Sequence, residues 1–245
     1  MQRILVTGAN RGIGLAFVQQ YLQRGERVFA ACRVPRRATE LQDLLKQYPD
    51  HLTLLQLIVS KQDSIDEAFE VVQAQTDALD VLINNAGIYN APQDDNPVYG
   101  DDDSLQKLGV LTFDDALAVL RTNTVAPILI AQRFLDLLRK GDQARIVNIT
   151  SGMGSLEAKT YGGSYYYATS KAALNMMTRS LAADVRRAGM IAVALDPGWV
   201  QTDMGGEDAS ISPEESVKHM VAFLDGLTLA QSGGFFNYLG EQNPW

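Results

Sequence analysis

Residues 3–14 read RILVTGANRGIG. An apolar run is followed by Gly8, Gly12 and Gly14, and residues 15–24 have the composition of a helix. A strand, a glycine turn and a helix in this order predict a dinucleotide-binding unit. Glycine lets the backbone approach a pyrophosphate closely, and the helix N-terminus offers unpaired N–H groups to it. The alternative is an ordinary strand–helix turn, and the position in the first such unit of the chain favours the phosphate site.

The same alternation of apolar runs and helical periods continues along the chain. Further strands are predicted at 26–32, 51–59, 80–83, from 145 toward 151, 190–195 and 234–239. Helices are predicted at 38–48, 64–79, 112–139, from about 165, and after an N-cap at Ser212. With no linker or repeat, this pattern predicts one α/β domain over residues 1–245: a Rossmann-type, doubly wound parallel sheet of about seven strands with helices on both faces.

Composition narrows the classes of function. The 245 residues are 46% hydrophobic and 20% charged, with a net charge of −8, which argues against general binding to nucleic acid or to an anionic membrane. The single Cys32 and only two histidines give no basis for a disulfide or a metal centre, and no apolar run approaches the roughly 20 residues of a membrane span. We expect a cytoplasmic protein without a metal.

The end of the second predicted strand indicates which cofactor is bound. An acidic residue there would bind the adenosine ribose of NAD, whereas an arginine accommodates the 2′-phosphate of NADP. The chain has Cys32 and Arg33 at this point, Arg11 in the glycine turn, and Arg36 and Arg37 further on. The pattern favours NADP(H) over NAD(H), with Arg11 and Arg33 as the binding residues and the other two as surface arginines.

Two loops follow predicted strands at the same edge of the sheet. Asn84-Asn85-Ala86-Gly87 ends the fourth strand, and Pro197-Gly198 follows the sixth. Small and amide residues suit a cofactor crevice at strand carboxyl ends, although Asn and Gly also form simple turns. Beyond them, an acidic segment at about 90–109 is predicted to be an insertion that could gate substrate. A loop at about 199–211 is predicted to carry a cofactor contact at Thr202 and pocket residues at Trp199 or Met204.

Tyr167 and Lys171 lie four residues apart in a predicted helix. Such a pair shares one helical face, with Cβ atoms about 5–6 Å apart. A nearby cation favours the phenolate, so the spacing predicts a tyrosine pKa below its usual value of about 10 and a role in acid–base chemistry. Ser151 ends the preceding strand and could act with them. A chance pair on an exposed helix is the alternative interpretation.

Pro127 interrupts the predicted helix at 112–139. Proline has no N–H for the carbonyl four residues back, which belongs to Asn123. The Asn123 carbonyl is therefore predicted to bind a water molecule, with its amide side chain fixing the bend. A merely bent helix is the alternative.

In order and location, these motifs resemble the classical short-chain dehydrogenases/reductases, and the resemblance covers essentially the whole chain. Its motifs are Thr7-Gly8-x-x-x-Gly12-Ile13-Gly14, Asn84-Asn85-Ala86-Gly87, Asn123, Ser151, Tyr167-x-x-x-Lys171 and Pro197-Gly198. The stretch that begins at Pro197 and the ending Asn243-Pro244-Trp245 look most like the C-factor and sniffer-like carbonyl reductase branch.

The resemblance implies an NADPH-dependent oxidoreductase that transfers hydride between the cofactor and a ketone, aldehyde or alcohol. Tyr167 would be the general acid, Lys171 would bind the nicotinamide ribose, Ser151 would polarise the carbonyl, and Asn123 would hold a relay water. It also implies a homodimer or homotetramer. Besides Tyr167 and Lys171, the implied cofactor contacts are Gly8, Asn10, Arg11, Gly12, Ile13, Gly14, Arg33, Asn85, Ala86, Gly87, Pro197, Gly198, Val200 and Thr202.

The chain departs from the family pattern at two places. Ile58 stands where many members have an aspartate that contacts adenine, so adenine would rely on backbone and apolar contacts. The interval from Ser151 to Tyr167 is longer than usual, which makes Ser155 a rival serine. Tyr165 and Tyr166 compete with Tyr167 by proximity only. A dinucleotide-binding regulator with little turnover, as the C-factor resemblance allows, remains the alternative function, and a purely structural interaction protein is a more distant one.

Overall fold

A computed structural model describes residues 1–91 and 103–245. Most of the predicted acidic insertion at about 90–109 lies outside these residues. The described residues form one parallel seven-stranded sheet in the order β3-β2-β1-β4-β5-β6-β7, which confirms the predicted fold class. The strands are β1 (Arg3–Thr7), β2 (Arg27–Cys32), β3 (Leu52–Gln56), β4 (Val81–Asn84), β5 (Arg145–Ile149), β6 (Ile191–Asp196) and β7 (Phe235–Asn237).

Helices connect the strands on both faces of the sheet. They are α1 (Gly12–Gln23), α2 (Thr39–Gln47), α3 (Gln62–Gln73), α4 (Phe113–Leu120), α5 (Ala126–Arg133), α6 (Leu135–Arg139), α7 (Tyr165–Val185) and α8 (Pro213–Asp225). Short 3₁₀ turns occupy Pro35–Arg37, Asp103–Gln106, Gly152–Gly154 and Arg186–Ala188. The strand order reverses between β1 and β4, which is the place where open α/β sheets bind ligands.

Each face of the sheet carries its own apolar core. On β1, Ile4 and Val6 belong to the cluster that α1 and α8 cover, whereas Leu5 belongs to the cluster that α3 and α5 cover. All three side chains are completely buried. Because adjacent residues of a strand point to opposite faces, a continuous apolar run is what a strand covered on both faces requires. Each such side chain contributes about 1.5–3 kcal/mol on burial.

The predicted helix at 112–139 is wrong as a single element. Arg121–Val125 form a π-helical turn in which the Ala126 N–H bonds to the Arg121 carbonyl, five residues back. A second break at Phe134 separates α5 from α6. The irregularity lies next to Pro127, as the missing N–H predicted, although it takes the form of a widened turn.

Several predicted boundaries also shift. Helix α1 begins at Gly12 rather than Leu15, since glycine is tolerated in a first turn whose N–H groups have no intrahelical partner. Helix α3 ends near Gln73 rather than Leu79, because the N–H groups of Gln75 and Thr76 both bond to Val72 and close the helix in a turn. The other differences are small.

The helix cap predicted at Ser212 is present, and Thr112 forms a cap at the start of α4. Thr112 Oγ1 accepts from Asp115 N–H at 3.2 Å, and Ser212 Oγ accepts from Glu215 N–H at 3.1 Å. Across residues 1–91 and 103–245, no helix combines the length and apolar character that crossing a membrane requires.

Candidate active site

A cavity of about 1020 Å³ lies at the carboxyl ends of the strands, beside the reversal of strand order. It brings together most of the predicted site residues. Those in its wall are Gly8, Asn10, Arg11, Gly12, Ile13, Arg33, Asn85, Ala86, Gly87, Ser151, Tyr167, Lys171, Pro197, Gly198, Val200 and Thr202. Trp199, Met204 and Ile58 also line it. Gly14 and Asn123 are not among the described lining residues. Both lie behind the cavity wall, as described below.

The glycine turn needs its glycines for two different reasons. Gly8 and Gly12 adopt left-handed φ angles of +63° and +50°, which other residues rarely adopt. Gly14 is required by close packing instead, because a Cβ there would lie 2.2 Å from the Gly8 carbonyl oxygen and 2.6 Å from Asn85 Nδ2. Gly14 therefore shapes the turn from behind the cavity.

Thr7 and Asn85 hold the two nucleotide-facing turns together. Thr7 Oγ1 accepts from the N–H groups of Asn85 and Ala86 at 3.0 Å each, and Asn85 Nδ2 donates to the carbonyls of Thr7 and Gly8 at 2.9 and 3.1 Å. These bonds satisfy backbone groups that leave the sheet at the ends of β1 and β4. The glycine turn and the turn after β4 thus form one rigid floor of the cavity.

The arginines divide as the sequence predicted. Arg33 lines the cavity close to Arg11, and burial together with the charge of Arg11 lowers the Arg33 pKa. Arg11 also pairs with Asp203, which joins the glycine turn to the loop at 199–211. Arg36 and Arg37 are exposed and do not appear among the described lining residues. Two neighbouring guanidinium groups at this end of the cavity suit a phosphate dianion.

Tyr167, Ser151 and Lys171 meet at the opposite part of the cavity. Tyr167 is 9% exposed, and the Ser151 hydroxyl lies close enough to influence its ionisation. Lys171 Nζ donates to the Ile149 carbonyl at 2.9 Å and lies 5.5 Å from the centre of the Tyr167 ring. Helix α7 therefore presents the phenol and the ammonium on one face, as the four-residue spacing predicted.

The prediction of a lowered tyrosine pKa is wrong, because the protein's own groups raise the pKa of Tyr167. Burial raises the pKa of Tyr167, the negative charge of Asp196 raises it further, and the neighbouring Ser151 hydroxyl offsets the rise only in part. Burial also lowers the pKa of Lys171 to about 8, against the opposing effect of Asp196. Removal from water disfavours both charged forms, and the spacing of residues along a helix does not reveal this.

Ser155, the rival serine, has a different environment. It is 2% exposed, its Oγ donates to the Trp245 carbonyl at 3.2 Å, and it accepts from the Ala158 N–H at 3.0 Å. Ser151 instead lines the cavity beside Tyr167. The geometry favours Ser151.

The neighbouring tyrosines point elsewhere. Tyr165 is 40% exposed, and the Tyr166 hydroxyl donates to the Thr112 carbonyl at 2.9 Å. Neither is among the described residues that line the cavity. Of the three consecutive tyrosines, Tyr167 is therefore the one whose phenol faces this site.

Asn123 lies in the π-helical turn and is completely buried. Its Nδ2 donates to the Ile88 carbonyl at 2.8 Å and to Ser170 Oγ at 3.0 Å, while its Oδ1 accepts from the Ile88 N–H at 2.9 Å. The amide side chain thus fixes the irregular segment after β4 against α7. Because the amide is engaged in these bonds, only the backbone carbonyl of Asn123 is left to bind a relay water. This role stays a prediction.

Sequence reasoning missed two residues around Tyr167. The Tyr89 ring centre lies 4.8 Å from that of Tyr167, and its hydroxyl shares a hydrogen bond of 2.7 Å with Ser164. Gln106, in the segment predicted to be an insertion, accepts from the Tyr167 backbone N–H at 2.8 Å. Tyr89 follows the Asn-Asn-Ala-Gly motif closely enough to have been suspected, but nothing in the sequence marks Gln106.

Asp196 was also missed. It ends β6 and lines the cavity, and its negative charge acts to raise the pKa values of Tyr167 and Lys171. An acidic residue directly before Pro197-Gly198, at the carboxyl end of a strand, was the available signal.

A glycine turn at the switch point of a parallel sheet, with a buried tyrosine, lysine and serine across the same cavity, defines a dinucleotide-binding oxidoreductase fold of the Rossmann type. The short chain dehydrogenase family model matches residues 2–211, and the chain belongs to this family. The family prediction from the sequence is confirmed.

Individual relatives support the predicted branch. The C-signal of Myxococcus xanthus is 42% identical over 170 residues, which cover 69% of this chain and 95% of that protein. The NADPH-bound carbonyl reductase from chicken fatty liver is 39% identical, with a TM-score of 0.89 and coverage of 100% of this chain and 99% of that chain. The carbonyl reductase Sniffer of D. melanogaster is 35% identical, with a TM-score of 0.88 over 100% of both chains.

Proposed function

We propose that the protein is an NADPH-dependent carbonyl reductase, which transfers hydride between the nicotinamide and a ketone or aldehyde, or the corresponding alcohol. One observation carries this: a buried Tyr167 lies beside Ser151, with Lys171 one helical turn on, in the wall of the cavity that the glycine turn and Arg33 also line. The chicken relative is named as NADPH-bound, and a Burkholderia multivorans relative, 31% identical with a TM-score of 0.82, as NADP-bound.

The residues present fit this cofactor. Gly8 lets the glycine turn pack closely against the turn after β4, because a Cβ there would lie 2.9 Å from Ala86 Cα, and a tight glycine turn of this kind would accept a pyrophosphate. Arg11 and Arg33 offer two positive charges to a 2′-phosphate. Lys171 and Tyr167 would hold the nicotinamide ribose, and the residues from Pro197 to Thr202 would border the nicotinamide. When bound, the reduced nicotinamide supplies the hydride.

The chain's own residues would manage the charge and the proton. Ser151 would donate a hydrogen bond to the carbonyl oxygen as negative charge develops there. Tyr167 would give that oxygen its phenolic proton, and the raised phenol pKa keeps the proton on Tyr167 until it is needed. Lys171 would stabilise the resulting phenolate as an ammonium, and the Asn123 carbonyl would connect Lys171 to solvent through water.

The activity test uses the purified protein, NADPH and a panel of aldehydes, ketones and quinones, and follows loss of absorbance by the reduced nicotinamide. Tyr167→Phe should lower turnover by at least about 100-fold, because a general acid contributes that much or more. Tyr165→Phe, on the exposed side of the same helix, is the matched control and should keep its activity. Unchanged turnover in Tyr167→Phe would contradict the assignment of Tyr167 as the general acid.

A second candidate function is a dinucleotide-binding regulator with little turnover. The 42% identity to the C-signal of Myxococcus xanthus favours it, and the intact Ser151, Tyr167 and Lys171 weigh against it. Tight NADPH binding without turnover on any carbonyl of the panel would support this candidate over the reductase.

We also propose a homodimer or homotetramer in the cytoplasm. Helices α4 and α7 pack together and leave Phe113, Leu117 and Met176 at 89%, 62% and 66% exposure, an apolar face that a second copy could cover. Light scattering should give a mass of two or four chains, and Phe113→Glu should reduce it. The unpaired Cys32 suits a reducing compartment, and fractionation of cells would test the location.

A further inference from the structure

Asp196 joins three separate segments of the chain. Its Oδ1 accepts from the Gly198 N–H at 3.1 Å, and its Oδ2 faces Asn243 Nδ2 at 3.4 Å. The carboxylate also packs against Gly152, the residue after Ser151. One side chain therefore connects the turn after β6, the loop that carries Ser151, and the segment that begins at Asn243.

The loop after Ser151 is held from its other end by Trp245. The Trp245 carbonyl accepts from Glu157 N–H at 2.7 Å and from Ser155 Oγ at 3.2 Å. The indole ring lies 5.7 Å from the Phe235 ring and 4.7 Å from the Arg179 guanidinium carbon. Residues 243–245 thus hold the loop that carries Ser151 in place. Asp196 is the cavity-lining residue that contacts them.

Close packing confirms that the carboxylate and the serine loop leave no space between them. A Cβ at Gly152 would lie 3.2 Å from Asp196 Oδ2, tighter than an ordinary contact. Any displacement of the carboxylate would therefore be felt at Gly152 and at the adjacent Ser151.

Asp196 also supplies a negative charge near the reacting groups. It acts on the ionisation of Lys171 and Tyr167, both on α7, which line the same cavity. Burial raises the pKa of Asp196, whereas the polar groups around it and the Lys171 charge favour the carboxylate. A carboxylate held in place here stabilises the ammonium form of Lys171.

We propose that Asp196 is a positioning residue for the carbonyl reduction: it fixes the loop that carries Ser151 and supplies the negative charge that faces Lys171. The inference rests on the proposed function. It assigns Asp196 no contact with substrate. Its two effects, on loop geometry and on charge, can be separated by substitution.

The test compares Asp196→Asn with Asp196→Glu over pH 6 to 10, following both turnover and NADPH affinity. The Asn variant loses the charge, so the loss of activity and of affinity with rising pH should begin about one pH unit lower than in the unsubstituted protein. The Glu variant keeps the charge but displaces it, so its pH dependence should stay in place while kcat falls about tenfold. Thermal unfolding verifies that each variant is folded.

An unmoved pH dependence in the Asn variant would overturn the charge effect, and an unchanged kcat in the Glu variant would overturn the positioning effect. If Asp196→Asn does not fold, Asn243→Ala should still lower kcat without moving the pH dependence, and full activity in that variant would count against the inference. The affinity measurement keeps the test valid if no carbonyl is turned over, an outcome that would contradict the proposed function alone.

Discussion

The side-chain oxygen of Gln106 accepts a hydrogen bond from the backbone N–H of Tyr167 at 2.8 Å. Tyr167 is the third residue of α7, where an N–H has no partner within the helix. Gln106 is completely buried, and its Nε2 donates to the Tyr89 carbonyl at 2.7 Å and to Asn90 Oδ1 at 2.9 Å. Gln106, from a separate segment, thus caps the start of α7 at Tyr167. It also connects this helix to the segment after β4 that contains Tyr89.

Gln106→Ala should leave the Tyr167 N–H buried and unpaired, at a cost of about 1–3 kcal/mol in unfolding free energy. Because the helix start would shift, kcat should fall by roughly tenfold or more. Gln106→Glu keeps an oxygen for the Tyr167 N–H and removes the donor to Tyr89, so it should retain more activity than the Ala variant. Denaturant unfolding and steady-state kinetics measure both effects, and wild-type kcat in Gln106→Ala would contradict this role.

The lysine should limit activity on the alkaline side. Burial lowers the pKa of Lys171 to about 8, so its ammonium is present below that pH and is lost as the pH rises through it. If the ammonium holds the cofactor ribose, kcat/KM for NADPH should be highest below pH 8 and fall above it, because this ratio reports ionisations of the unliganded protein. Lys171→Met should lower the whole profile and abolish this fall. A plateau that extends past pH 10 would show that Lys171 ionises normally.

Most of the site could be predicted because its motifs follow strands. The carboxyl ends of parallel strands meet at one edge, so Gly8, Asn85, Ser151 and Pro197 had to converge once the strands were recognised. Gln106 could not be predicted, since it reaches Tyr167 from 61 residues away through a segment without periodicity.

The electrostatics were equally beyond the sequence. The spacing of Tyr167 and Lys171 predicts proximity, but the sign of the tyrosine pKa shift depends on burial and on Asp196, which the fold brings in from β6. Similarly, Pro127 marked an irregular helix without revealing that Arg121–Val125 would form a π-helical turn.

Cofactor preference should depend on Arg33. Arg33→Ala removes one of the two guanidinium groups at the predicted 2′-phosphate site, and a charge-assisted hydrogen bond of about 1.5–3 kcal/mol corresponds to a loss of roughly 10- to 100-fold in preference for NADPH over NADH. Arg36→Ala, at an exposed position beyond the cavity wall, is the matched control and should leave the ratio unchanged. Isothermal titration with both cofactors measures the ratio. Equal effects of the two substitutions would contradict the NADP assignment.

Substitutions of Ser151 and Ser155 should have different effects, the first on turnover and the second on stability. Ser151→Ala removes the hydroxyl beside Tyr167 and the proposed donor to the substrate carbonyl, so kcat should fall by about 100-fold or more with little change in unfolding free energy. Ser155→Ala removes the bonds to Trp245 and Ala158 and should instead cost about 1–2 kcal/mol in stability. The reverse pattern would make Ser155 the reactive serine.

Gly14 tests whether the glycine turn is a packing requirement as well as a phosphate site. In Gly14→Ala the new methyl group would lie 2.2 Å from the Gly8 carbonyl oxygen, and backbone atoms cannot yield as a flexible side chain could. We expect a loss of at least about 1–3 kcal/mol in unfolding free energy even without cofactor. Gly162→Ala is the matched control, since a Cβ there meets no described atom within 4 Å, and its unfolding free energy should change by less than about 0.5 kcal/mol. If Gly14→Ala instead unfolds like the unsubstituted protein and loses only NADPH binding, Gly14 acts on the cofactor directly and the packing explanation is wrong.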